Sequence, residues 1–230
     1  MIKTRTFDSR KQTFAYTTNL EDWRRFIAAI NELWEILKDN TAMQLHLDKI
    51  NKLITTFDEE TLKVLDEISY VKTYSKGDYL LKTDSICIKS FWVENGILRK
   101  FYIHNDKEIT TEFYFKNDLA ISFDSYTLQR PSRENIQALT DVTINVTDYN
   151  SFKIQKERNS KLLELDFLLT EYYTLSLEEK VFELHTQNAT QRYETLIKKS
   201  PHIIQQVQLT QIASYLNVSL ETLSRIRAKK

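Results

Sequence analysis

Apolar positions along this chain follow two different periods, and the places where the period changes divide it into parts. Between Asn19 and Leu37, the residues Trp23, Phe26, Ile30, Leu33 and Leu37 recur at steps of three and four. That spacing predicts one face of a helix, with Asn19 as a capping residue and Glu21 and Asp22 in the first turn, where acidic side chains are favoured. A second helical region over 45–69 carries Leu47, Ile50, Leu53, Ile54, Leu62, Leu65 and Ile68.

From Tyr70 to Thr147 the pattern shortens to short runs rich in Val, Ile, Tyr, Phe and Thr. Turn signals punctuate them: Lys76-Gly77-Asp78, Glu94-Asn95-Gly96, His104 to Lys107, Lys116-Asn117-Asp118 and Arg130-Pro131-Ser132. Strands separated by such turns predict an antiparallel sandwich or barrel. After residue 150 the helical period returns, with Leu162, Leu165, Leu169, Tyr172 and Leu175 on one stripe, extended by Leu177, Val181 and Leu184. This reads as one helix of about 25 residues, long enough to pair with its copy in a second subunit. The plainer alternative is that the helix only covers the β-body. Asn188 to Ser200 then reads as a capped helix stopped by Pro201.

The last segment, Gln208 to Lys230, holds two helical stretches joined by a very short turn. Ile212 and Leu216 lie four apart on the first, Leu223 and Ile226 three apart on the second, and Val218 fills the angle between them. Ala213 is small where the helices approach, Asn217 suits a left-handed turn position, and Ser219 caps the second helix. This is the grammar of a helix-turn-helix. The second helix then presents Ser219, Glu221, Thr222, Ser224, Arg225, Arg227 and Lys229 as candidate DNA-contacting residues. Arg225 suits guanine O6 and N7, Glu221 a cytosine amino group and Thr222 a base edge or thymine methyl, while Arg227, Lys229 and Lys230 suit phosphates.

Charge sharpens this reading. The whole chain is neutral, yet residues 188–230 carry seven basic side chains against Glu194 and Glu221. A basic tail on an acidic body points to a polyanionic partner for the tail. The single cysteine, Cys87, leaves no internal disulfide, thiolate zinc site or four-cysteine cluster. Two glycines, Gly77 and Gly96, write neither a phosphate loop nor a dinucleotide fingerprint. His46, His104, His185 and His202 show no metal-binding spacing, so the expectation is no metal, no cofactor and no enzyme. With no long apolar run and no apolar signal core, a cytoplasmic protein without a membrane partner is expected.

Three segments carry a resemblance to the Crp/Fnr family, in particular the divergent regulators of Bacteroidetes-type bacteria. They are the turns Lys76-Gly77-Asp78-Tyr79-Leu80-Leu81 and Asn95-Gly96-Ile97-Leu98-Arg99, the stretch Pro131-Ser132 to Ile136-Gln137-Ala138-Leu139, and the tail from Ile212 to Ile226. The resemblance covers about 80% of the chain, from residue 45 onward. It implies an α+β fold: an antiparallel, cyclic-nucleotide-binding-like β-roll, a long dimerisation helix and a C-terminal winged helix-turn-helix. The corresponding parts are an N-terminal extension (1–44), a β-roll effector-type domain (45–150), a dimerisation helix (151–187) and a DNA-binding domain (188–230). It further implies a homodimer on an imperfect DNA palindrome, a small-molecule effector, contact with RNA polymerase, and base reading by Glu221 and Arg225.

Cyclic-nucleotide binders of the family place Gly-Glu before Arg-Ser/Thr. Here those elements read Phe115-Lys116-Asn117-Asp118-Leu119 and Ser132-Arg133. An arginine displaced by one residue on a strand points to the opposite face, which argues against cyclic AMP. Asp118, Arg130, Ser132 and Arg133 are the candidates for an altered effector pocket. The N-terminal extension exceeds the usual family length, and its capped amphipathic pattern favours Met1 over Met43 as the start. The competing reading is a ligand-sensing β-roll whose helical tail makes protein contacts only.

Overall fold

The helical stripe of 45–69 folds as two helices, α1 (Thr41–Thr55) and α2 (Glu59–Ile68). Asp58 makes the break: its backbone is extended and its carboxylate accepts from Thr61 N at 2.9 Å, capping α2. The computed structural model describes residues 41–228. The amphipathic stretch from Asn19 to Leu37, and Lys229 and Lys230, lie outside the described residues.

The period-two region forms eight strands: β1 (Ser69–Tyr74), β2 (Tyr79–Leu81), β3 (Lys89–Asn95), β4 (Leu98–His104), β5 (Lys107–Tyr114), β6 (Leu119–Ala120), β7 (Asn135–Ala138) and β8 (Val142–Asp148). A short helix, α3 (Phe123–Leu128), stands between β6 and β7. The strands make two antiparallel sheets, ordered β1-β8-β3-β6 and β2-β7-β4-β5. Each predicted turn falls between strands. The β4–β5 hairpin closes through Asn105 and Asp106, both left-handed at φ 48° and 60°, a conformation these two residue types tolerate better than most. Gly96 is required by space as well as by its φ of 93°: a Cβ there would come within 2.5 Å of the Asp141 carbonyl oxygen.

Inward alternation places Phe91, Val93, Ile144 and Val146 from one sheet against Leu98, Tyr114, Ile136 and Ala138 from the other. All are buried, and together they form the core of the β-roll.

The helical segment after β8 is divided. Helix α4 (Tyr149–Arg158) ends at Asn159, and α5 (Ser160–Thr186) runs for 27 residues. Asn159 makes the division, since its side chain accepts from the amides of Lys161 and Leu162 and donates to Thr61 Oγ1 at 2.9 Å. Leu165 and Leu168 of α5 pack on Leu47, Ile50, Leu53 and Ile54 of α1. His46 is buried in the same contact and donates from Nε2 to the Leu168 carbonyl at 2.9 Å.

Four helices follow: α6 (Ala189–Lys199), α7 (Ile203–Gln206), α8 (Leu209–Tyr215) and α9 (Leu220–Ala228). Asn188 and Gln191 form a reciprocal capping box at the start of α6. The architecture is the expected α+β arrangement of β-roll, long helix and helix-turn-helix. The wing is not found among the described residues, because every element from α4 to Ala228 is helical. A wing needs a paired strand, and the stretch after Asp148 shows no period-two run to make one.

Candidate nucleic-acid interface

Helices α8 and α9 meet through the residues whose spacing predicted them. Ile212, Ala213, Leu216, Leu223 and Ile226 are buried in one apolar cluster with Tyr193, Leu196, Ile203 and Val207, and the partly buried Val218 packs against it. Asn217 adopts φ 54°, the left-handed turn, and the next amide, Val218 N, donates to the Ala213 carbonyl at 3.0 Å. A side chain larger than Ala213 would fill the space this crossing uses. Ser219 Oγ accepts from Thr222 N at 3.2 Å and so caps α9 as expected.

The opposite face of α9 is open. Ser219, Glu221, Ser224, Arg225 and Arg227 are exposed and Thr222 is half-buried; Lys229 lies outside the described residues. Three of these groups are linked. Ser219 Oγ donates to Thr222 Oγ1 at 3.1 Å, and Arg225 Nη2 donates to the same oxygen at 3.1 Å. Glu221 is held below the usual carboxylate range by its own backbone N–H and the Ser219 hydroxyl, helped by Arg225. A carboxylate acceptor and a guanidinium donor thus share one exposed helical face, the chemistry needed to read base edges.

One predicted basic residue has a different task. Arg192 donates from Nε and Nη2 to the Leu216 carbonyl at 3.2 and 3.0 Å, and from Nη1 to the Gln187 carbonyl at 2.6 Å. It ties the end of α8 to the start of α6. Its charge counts toward the basic tail, while its position is structural.

The module is docked on the β-roll. Ile97, Phe113 and Leu139 of the roll enter the same cluster as Ile212 and Leu216. Tyr215 packs on Phe113 with ring centroids 5.0 Å apart. Lys180 of α5 stands over the Tyr215 ring at 4.8 Å, pairs with Glu112 at 3.0 Å and donates to the Thr111 carbonyl. Three elements, α5, β5 and α8, therefore meet around one lysine, which spacing alone did not single out.

The long helix presents two apolar faces. Leu162, Leu165 and Leu168 are buried within this chain. A second row, Leu163, Phe167, Thr170, Thr174, Leu177, Val181 and Leu184, is exposed throughout, with Phe167 at 61%. Its steps alternate four and three, the heptad spacing of a coiled-coil seam. This corrects the single stripe expected from the sequence: its first part, Leu162 to Tyr172, is turned toward the chain's own core, whereas Leu177, Val181 and Leu184 belong to the outward row.

The four effector candidates do not converge. Arg130 and Arg133 both reach outward to Asp124, at 3.0 and 3.3 Å, with the Arg133 side chain 80% exposed. Asp118 closes the β5–β6 turn by accepting from Phe115 N at 2.8 Å, and burial pushes its carboxyl up. Ser132 alone lies inside the roll, against Ser122 and the backbone of Glu134. The interior also holds Lys100, paired with the partly exposed Glu134, which the sequence reading passed over. The available signal was a lysine two residues after the inward Leu98 on the same strand. Beside them a cavity of about 840 Å³ lies among Trp92, Glu112, Tyr114, Ile121, Tyr172 and Tyr173.

No protein-family model matches this chain and no curated protein aligns with it. Among solved structures it is similar to FixK2 from Bradyrhizobium japonicum, at 16% identity and TM-score 0.59 over 70% of this chain and 84% of that one. A CooA variant from Carboxydothermus hydrogenoformans gives 23% identity and TM-score 0.52, covering 75% of this chain and 80% of that one. The c-di-GMP-responsive regulator CLP of Xanthomonas campestris gives 13% identity and TM-score 0.54, covering 75% and 91%. The chain therefore has the fold of Crp/Fnr-type transcription regulators, a cyclic-nucleotide-binding-like β-roll joined to a helix-turn-helix. No helix among the described residues is long and apolar enough to cross a membrane.

Proposed function

We propose that this protein is a homodimeric, sequence-specific DNA-binding transcription regulator of the cytoplasm, with no catalytic activity. The observation that carries this reading is α9: Leu223 and Ile226 are buried while Glu221, Ser224 and Arg225 stand exposed together. The heptad row on α5 supports pairing through that helix. Two recognition helices related by a two-fold axis enter successive major grooves about 34 Å apart, so the operator is an imperfect palindrome. Lys229 and Arg227 supply phosphate contacts, and RNA polymerase is a further partner at the promoter.

Cyclic AMP is not the effector in this reading, because neither Arg130 nor Arg133 is directed into the roll. The test is selection of bound duplexes from a random pool, followed by gel-shift titration at several salt concentrations. A palindromic motif whose affinity falls steeply with salt is expected. A folded protein that retains no duplex at any salt concentration overturns the proposal and favours a helical tail that contacts protein.

A further inference from the structure

The chain before α1 carries the stripe Trp23, Phe26, Ile30, Leu33 and Leu37, on residues outside the described ones. A helix of that length is marginal in water alone and is held by an apolar surface that its stripe covers. The start of α1 and the cavity of about 840 Å³ beside it show where that surface lies.

Part of the cavity wall is the outer side of the sheet ordered β1-β8-β3-β6. Phe91, Val93, Ile144 and Val146 belong to the core of the roll. Strand alternation therefore turns Trp92 and Asn145, which pair across β3 and β8, to the opposite face. Both line the cavity, and α1 and α5 supply further walls with Leu47, Leu169 and Tyr172. Trp92, Leu169 and Tyr172 remain partly exposed around it. A concave apolar surface of this kind is suited to docking.

The direction of α1 fixes which end of the cavity the preceding chain reaches. His46 contacts the Leu168 carbonyl at 2.9 Å and Lys161 Nζ donates to the Thr56 carbonyl at 2.6 Å, so α1 runs antiparallel to α5. Thr41, more than one helical turn before His46, stands about 7.5 Å further along. That is the level of Tyr172 to Ser176, both on the cavity wall. Leu37 stays within about 14 Å of Thr41 even where the chain between them is fully extended. A helix over Asn19–Leu37 is about 28 Å long, enough to cross the cavity from that end.

We infer that Asn19–Leu37 is a helix lying across this cavity in its own chain, its apolar stripe seated against Trp92, Leu169 and Tyr172. The occupant of the outer surface is thus the protein's own N-terminal extension, which holds α1, α5 and the β-roll together. The inference does not depend on α9 reading DNA.

Tryptophan fluorescence of the full chain tests it. Trp23→Phe and Trp34→Phe together leave Trp92 as the sole tryptophan and keep the stripe aromatic. In this parent, Trp92 is expected to be shielded from acrylamide. Ile30→Asp puts a charge on the stripe and is expected to raise the quenching constant severalfold and to lower the melting temperature by several degrees. Glu32→Gln, on the polar face, is expected to change neither, and sedimentation of each variant gives the same assembly state as the parent. If Ile30→Asp does not fold, Ile30→Ala is read in the same way, and a smaller rise in quenching supports the contact. Free quenching of Trp92 in the parent overturns the inference and leaves the cavity to another occupant. Quenching that the Ile30 variants leave at the parental level also overturns it, as does a rise accompanied by loss of a dimer, which would assign the segment to a contact between chains.

Discussion

The Ser214 hydroxyl of α8 lies against the Thr110 amide of β5, accepting from Thr110 N at 3.0 Å while it contacts the Glu108 carbonyl at 3.1 Å. β5 ends the sheet ordered β2-β7-β4-β5, so its outer backbone groups have no strand neighbour. An unpaired edge is a liability, and here one side chain of the helix-turn-helix covers it. Thr110 is buried, and its own hydroxyl accepts from Arg99 Nε at 2.8 Å. The contact therefore joins the helix-turn-helix to a buried polar network of the β-roll.

Ser214→Ala leaves the Thr110 amide without its acceptor. A buried donor left unsatisfied costs about 1–3 kcal/mol, so the urea midpoint should fall accordingly. Amide exchange should quicken most at Thr110. Unchanged exchange there would show that water replaces the hydroxyl without cost.

Arg225→Ala should weaken operator binding by about 1–3 kcal/mol and relax selectivity mainly at one base position, leaving the melting temperature near that of the wild type. Leu223→Ala reaches the same DNA through a different cause. It removes a fully buried side chain and should cost about 2–5 kcal/mol of stability. Gel-shift titration beside thermal unfolding separates the two effects.

The faces of α5 predict opposite responses from adjacent leucines. Leu162→Ala opens a cavity in the chain's own core and should lower stability by about 2–5 kcal/mol without altering the assembly state. Leu163→Asp puts a charge on the exposed row and should convert dimer to monomer, read by light scattering on a sizing column. Thr174→Leu should tighten the dimer by about tenfold or more, since each buried methylene contributes about 0.8 kcal/mol.

Asp58 gives the acid limb of the stability curve a specific cause. Thr61, through its hydroxyl and amide, and the Lys161 ammonium hold the Asp58 carboxyl well below the usual range. Because the folded pKa lies below the unfolded one, the stabilisation is present above the ordinary carboxylate range and is lost as pH falls through the folded value. Asp58→Asn should thus flatten the loss of stability on acidification and weaken the Lys161 contact at 3.0 Å. Denaturant melts from neutral to strongly acidic pH check it. A wild-type and variant difference that does not shrink with acid would refute this origin.

Local rules made much of the molecule legible. The sandwich followed from period-two runs, and its turns from residues such as Gly96, Asn105 and Asn217, whose backbone angles few other types adopt. Ala213, Val218, Ser219 and the aliphatic residues of the tail announced the helix-turn-helix because their constraints act over neighbouring turns of chain. Other features were not visible in this way. The division of α5 between an inward and an outward apolar face depends on where α1 packs, and period alone makes both stripes look alike. Lys100 and Glu134 meet across 34 positions of sequence, and Ser214 reaches Thr110 across 104.

What the sequence by itself determined is therefore the set of elements and the exposed chemistry of α9, since hydrophobic period, capping and turn preference are properties of adjacent residues. Only the tertiary structure decided which charges are spent within the fold, Arg192 on the α8 terminus and the buried Lys100 on Glu134, and which pair at the surface, Arg130 and Arg133 on Asp124. The physical reason is that the cost of a buried charge is set by its partners' distance in space, which the order of residues along the chain does not specify.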